Sequence, residues 1–164
     1  MSLREQSVSL LALVAWLALC FAAAGVGGVA AASAEDFYAL LQQPAWAPPG
    51  YLFAPVWTVL YAMMAVSAWL VWRMRSRAGA KVSLGLFIVQ LLFNTAWSWL
   101  FFAWKLGGWA FLDVLLLWVL IALTIYRFVF ISRWAALLLL PYWLWVTFAA
   151  VLNLVVWQLN PQTL

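Results

Sequence analysis

Five stretches of this chain, near residues 7–31, 50–73, 81–103, 109–130 and 134–158, stay apolar for about 20 residues or more. That pattern decides most of what the chain can fold into, because about 20 apolar residues wound as a helix cross the ~30 Å hydrocarbon core of a bilayer. Barrel strands are the other way to span lipid, but they need only ~10 residues and alternate in polarity. These runs do neither, so the sequence predicts an all-α membrane protein built as a five-transmembrane-helix bundle. With 70% of its 164 residues hydrophobic and 7% charged, little is left for anything else. The longest connection covers about residues 32–49, and residues 1–164 read as a single five-helix domain. The first run follows Arg4 and ends at Ala32-Ser33-Ala34, which resembles a signal-peptide cleavage site. It is about twice the length of a signal core and is read here as the first span.

Charge sets the expected orientation. With five crossings, one side collects Arg4, Arg73, Arg75, Arg77, Lys81, Arg127 and Arg133, while the other holds Lys105. In a bacterial inner membrane this bias predicts a cytoplasmic amino terminus and a carboxyl terminus outside. The net charge of +4 then reflects contact with anionic head groups and gives no reason to expect nucleic acid as a partner. The chain has one cysteine, Cys20, and no histidine. An internal disulfide and an imidazole-ligated haem are both excluded, and no metal set is expected.

Counting ~1.5 Å of rise per residue from each helix end turns sequence position into depth. Trp57, Tyr61, Asn94, Thr95, Trp97, Ser98, Asp113 and Asn153 then fall in the outer half of the bundle, level with Gly25, Gly27 and Gly28 of the first helix, and Trp145 falls near mid-membrane. Lipid penalises unpaired polar groups, so Asn94, Asp113 and Asn153 should turn inward toward one another, backbone or ligand. Trp145, Ala149 and Asn153 recur every four residues and would offer a ring, a gap and an amide to one interior space. A pocket opening outward accounts for this gathering. Helix-to-helix bonding by Asn94, plain packing of Trp57, Trp97 and Trp145, and a structural Asp113 carboxyl near Lys105 remain open alternatives. Trp46, Trp72, Trp104, Trp109, Trp134 and Trp157 lie near helix ends, where an aromatic belt is expected.

The stretch PAWAPPGYLFAPVWTVLY, residues 44–61, places four prolines in its first twelve residues. Pro44, Pro48 and Pro49 favour extended backbone, so the connection from 32 to 49 should fold over the outer mouth as a lid. Pro55 weakens the turn ahead of Trp57, and Trp46, Tyr51 and Phe53 would rim the mouth.

Together with QLLFNTAWSWLFF (90–102), GWAFLDVLL (108–116) and PYWLWVTFAAVLN (141–153), this stretch closely resembles the translocator proteins. These are also called tryptophan-rich sensory proteins (TspO/MBR) or peripheral-type benzodiazepine receptors. The resemblance runs from about Gly25 to Trp157. It implies a five-helix bundle with an extracytoplasmic lid between the first two helices, usually a homodimer. It also implies an intra-bundle site for porphyrins such as protoporphyrin IX, for sterols, and for isoquinoline or benzodiazepine-type drugs. Carried over by motif, the ligand-binding positions are Trp57, Asn94, Trp145 and Ala149, with Tyr38, Pro48, Phe53, Tyr61 and Trp97 matching other lining positions. Depth adds Asn153.

Two departures limit the transfer. Where the family often has WYxxLxKPxW, this chain has Phe37, Tyr38, Leu41, Gln43, Pro44 and Trp46, so a lysine that could meet a porphyrin carboxylate is missing. The cholesterol-recognition pattern of animal members, tyrosine then a basic residue, is absent after Asn153. Three functions compete. A tetrapyrrole receptor needs only an aromatic slot, with the porphyrin as ligand and no obligatory cofactor. Light-dependent porphyrin degradation, known in the family and tied to the positions of Trp57 and Trp145, would make it an enzyme, yet no nucleophile, base or metal set is visible. A porphyrin or sterol transporter would more often carry internal repeats, and none is found.

Overall fold

The computed structural model describes residues 3–32 and 34–164. Ser33, and with it the signal-cleavage reading, lies outside the described residues, as does the side chain of Arg4. Five long helices are present, each apolar and long enough to cross a membrane: α1 (Leu3–Ala30), α3 (Phe53–Arg73), α4 (Ala80–Ser98), α5 (Gly107–Val129) and α6 (Arg133–Leu159). A short helix, α2 (Ala34–Leu40), sits in the first connection, and a 3₁₀ turn, Gly50–Leu52, leads into α3. The predicted spans are all present, with ends shifted by a few residues. The prolines of the connection begin at Pro44, where no helix forms, and the stretch ahead of them, Ala34–Leu40, is free to wind.

The spans form a closed ring in which α1 packs on α3 and α4, α3 on α6, α6 on α5, and α5 on α4. Lipid supplies no hydrogen bonds, so every span keeps its backbone satisfied internally and helices associate by packing and by side-chain bonds. Small residues let them approach: Ala65 and Ala68 on α3 face a core that also holds Ala135 and Ala136 of α6, and Ser67 donates to the Ala135 carbonyl at 2.7 Å. Phe87, Tyr142, Phe128 and Met64 fill the fully buried centre.

Helix ends are fixed by local chemistry. Gly79 takes φ +80° at the start of α4, a conformation glycine adopts without strain. Ser132 caps α6 by accepting the Ala135 N–H at 3.3 Å. Beyond Ser98, α4 widens into a π-helical turn, Trp99–Ala103, whose Trp104 N–H reaches back to the Trp99 carbonyl at 2.9 Å. Such wide turns often occur at functional sites.

Several tryptophans behave as belt residues: Trp46, Trp104, Trp109 and Trp134 are exposed near helix ends. Trp157 does not. Its ring covers the first turn of α5 so closely that a Cβ on Gly107 would lie 2.8 Å from Cδ1 of Trp157 and 2.8 Å from Cβ of Leu164. Gly107→Ala is therefore expected to destabilise the bundle by about 1–3 kcal/mol through overpacking. Thermal unfolding in detergent against wild type measures this, and an unchanged midpoint would refute it.

Candidate functional site: an aromatic cavity between the helices

A cavity of about 490 Å³ lies between the helices, next to the α1–α3 connection. Its walls are Phe21, Ala24, Gly27 and Gly28 of α1, Ala54, Trp57, Thr58 and Tyr61 of α3, Asn94, Trp97 and Ser98 of α4, and Ala149, Leu152, Asn153 and Val156 of α6. Tyr38 of α2, the turn residues Gly50 and Tyr51, Phe53 at the start of α3, and Phe101 and Phe102 of the π-helical turn also line it, with Ala31, Ala32 and Ala34 beside the connection. Among the described residues no ionisable acid or base lines it, apart from the tyrosine hydroxyls.

Eight of the ten sequence-predicted residues meet here: Tyr38, Phe53, Trp57, Tyr61, Asn94, Trp97, Ala149 and Asn153. Trp145 stands behind the wall, edge-on to Phe53 at 5.9 Å and against Phe148 at 5.4 Å. Each four-residue step on an α-helix advances about 40°, so Trp145 lies about 80° round α6 from Asn153 and turns to the α3 side. Pro48 is half-buried in the connection and lines nothing, because the chain reaches the rim one turn later, at Gly50 and Tyr51.

The polar groups are mostly committed. Tyr61 donates its hydroxyl to Oδ1 of Asn94, Nδ2 of Asn94 donates to the Tyr142 hydroxyl at 3.0 Å, and Tyr142 donates to Oε1 of Gln90 at 2.8 Å. This chain of bonds runs from the cavity into the buried centre and leaves Nε2 of Gln90 unpartnered. The Trp97 indole donates to Oδ1 of Asn153 at 2.9 Å, and Nδ2 of Asn153 donates to the Gly107 carbonyl at 3.1 Å. Asn94 and Asn153 thus turn inward as expected, each into its own set of partners.

Asp113 belongs to neither set. It is buried on α5 away from the cavity wall, its Oδ2 has no hydrogen-bond partner among the described residues, and Lys105 places its ammonium 4.9 Å from the centre of the Phe37 ring. At the rim, the Tyr38 hydroxyl has no partner among the described residues. Burial raises its pKa above the ordinary tyrosine value, so at neutral pH it keeps its proton and can donate to an oxygen of a ligand.

The wall holds residues the sequence did not single out. Phe101 and Phe102 are neighbours in sequence, yet both reach the cavity. Phe101 stacks on Trp97 at 5.2 Å with 15° between planes, and Phe102 meets the same indole edge-on at 5.7 Å. Phe21, Ala24, Leu152 and Val156 look like ordinary apolar span residues in sequence. Gly27 and Gly28 had a weak signal, since glycine in a span allows either close packing or space, and here both face the cavity. Among the described residues no group of acidic, cysteine and histidine side chains could hold a metal ion.

The profile of the TspO/MBR family matches residues 16–158. The chain belongs to the TspO/MBR family. The "Tryptophan-rich protein TspO" of Chlorobaculum tepidum is 38% identical over 157 residues, covering 93% of this chain and 98% of the relative. The "Translocator protein" of Ovis aries is 43% identical over 126 residues, 76% of this chain and 75% of its own length. The "Tryptophan-rich sensory protein" of Cereibacter sphaeroides is 34% identical over 145 residues, 88% and 89% of the two chains. As a member of the TspO/MBR family the chain is an integral membrane protein, and its cavity is walled by the motifs that carry the family resemblance.

Proposed function

We propose that this protein is a membrane receptor or sensor that takes a tetrapyrrole such as protoporphyrin IX into the cavity, along with sterol-like or isoquinoline-type apolar ligands. The carrying observation is the cavity itself: about 490 Å³, with Phe21, Phe53, Trp57, Trp97, Phe101 and Phe102 as walls and few free polar atoms. Volumes of ~300–1,000 Å³ suit drug-sized ligands, and a flat aromatic macrocycle gains from ring contacts and area burial. With no histidine in the chain, iron has no imidazole to bind, so metal-free porphyrin should bind at least as well as haem. In this reading the protein works as a homodimer in a bacterial inner membrane, amino terminus inside, with the cavity toward the outer leaflet. The basic residues Arg73, Arg75, Lys81 and Arg127 then meet anionic head groups at the other end.

Dark titration with protoporphyrin IX, followed by tryptophan fluorescence, tests this reading. Trp57 lines the cavity, Trp145 stands behind Phe53, and Trp134 is exposed at the far end of α6. Saturable quenching is expected in wild type and Trp134→Phe, weakened several-fold in Trp57→Phe and less in Trp145→Phe. Equal, non-saturating quenching in all four would show porphyrin partitioning into the micelle and would remove the proposal.

The Trp57 ring, 5.6 Å from Tyr61 and 6.1 Å from Tyr142, favours light-driven porphyrin degradation as a second reading, because oxidisable rings would sit beside the bound pigment. Illumination with dioxygen present separates the cases. Stoichiometric loss of tryptophan indicates photochemistry in a binding site, whereas repeated turnover indicates an enzyme.

A further inference from the structure

We propose that Asn160 is the latch of a lid formed by residues 34–49, holding the cavity closed and setting how fast ligand exchanges. The gating half of this proposal rests on the reading of the cavity as a ligand site; the clamp itself does not.

The lid is defined by its packing. Phe37, Tyr38 and Leu41 are buried in a cluster with Phe101 of the π-helical turn, Ala110 of α5, and Leu152 and Val156 of α6. Tyr38 is also a wall of the cavity, so displacing this segment removes part of the wall. Ring contacts tolerate sliding: Tyr38 meets Phe53 edge-on at 5.6 Å, and Trp46 meets Phe148 at 5.9 Å. Directional bonds do not slide.

The directional restraint is at Gln42. Its backbone N–H donates to Oδ1 of Asn160 at 2.8 Å, and Nδ2 of Asn160 donates to its carbonyl at 2.9 Å, across 118 positions of sequence. A side-chain amide thus pairs with a peptide as an adjacent strand would, in a segment (41–43) that forms no helix or strand of its own to satisfy these groups. Asn160 is itself held rigidly. It follows the last residue of α6, is 9% exposed, donates from Nδ2 to the Val156 carbonyl at 2.8 Å, and accepts the Thr163 and Leu164 N–H groups at 3.0 and 3.1 Å. The clamp therefore ties the lid to the helix that supplies Ala149, Asn153 and Val156 to the cavity. Lids of this size open on microsecond to millisecond timescales, and a lost clamp acts on that opening.

The test uses the full chain in lipid nanodiscs, with two readouts. Amide hydrogen exchange reports the lid without any ligand. In Asn160→Ala, exchange at residues 41–43 is expected to rise about tenfold, with α3 and α5 unchanged. Gln42→Ala should match wild type, since Gln42 contributes only its backbone. Stopped-flow quenching by protoporphyrin IX then reads gating: association and dissociation should both rise about tenfold in Asn160→Ala, with Kd within about threefold of wild type. Gln42→Pro deletes the N–H from the lid side and should reproduce both effects, which keeps the test decisive if Asn160→Ala fails to fold. Unchanged exchange at 41–43 overturns the latch whatever the porphyrin does, and faster exchange with unchanged porphyrin rates overturns its gating role. Should wild type not take up porphyrin at all, the ligand reading is what fails, and exchange alone decides the clamp.

Discussion

Ala149→Phe is expected to weaken protoporphyrin IX binding by tenfold or more while leaving the bundle folded. Ala149 lies on the wall between Asn153 and the Phe53 side, and its methyl group ends at the cavity. A phenyl ring there has open space in front of it, so the addition need not force the core apart. The ring instead takes up a sizeable share of about 490 Å³ and blocks the approach to Trp57 and Trp97. A tenfold loss corresponds to about 1.4 kcal/mol, a modest demand for a steric block of this size. Dark fluorescence titration reads the affinity, and circular dichroism with a melting curve checks the fold. Wild-type affinity in a folded variant would mean that porphyrin binds elsewhere.

The second large effect concerns stability. Asn94→Leu should destabilise the bundle by about 1–3 kcal/mol, because it leaves the Tyr61 hydroxyl without its acceptor and strips one bond from Tyr142. Polar pairs between membrane helices average less than this, ~0.6 kcal/mol, but Asn94 serves two hydroxyls at once. Adding Tyr61→Phe to the Asn94→Leu variant removes the stranded hydroxyl and should recover part of the loss. This non-additivity distinguishes a bonded chain from two unrelated packing defects. Melting curves of the two single variants and the double variant in the same detergent give the answer, and strictly additive losses would count against the chain.

Much of this architecture is legible without coordinates, for physical reasons that differ from element to element. The spans are visible because lipid demands about 20 apolar residues per crossing and a helix that satisfies its own backbone. Asn94 and Asn153 are visible as inward-facing residues because an amide in lipid needs partners. Which partners they find is not visible. Asp113 is just as conspicuous in sequence, yet it lies outside the cavity wall and bonds to neither amide. Trp145 shows the limit of a periodicity argument. It shares a helical face with Ala149 and Asn153 on paper, but the drift of about 80° over eight residues takes its ring behind Phe53.

The sequence by itself determined the class of protein, the number and approximate ends of the spans, the family, and eight of the ten predicted residues that meet at the cavity. All of these follow from local composition, from spacing along single helices, or from motifs read as strings. The tertiary structure alone decided that Phe101 and Phe102 both reach the cavity through a π-helical turn, that Trp157 covers Gly107, and that Asn160 grips Gln42. Each of these depends on where one helix end lies against a distant segment. No period of 3.6 residues encodes a bond between positions 118 apart.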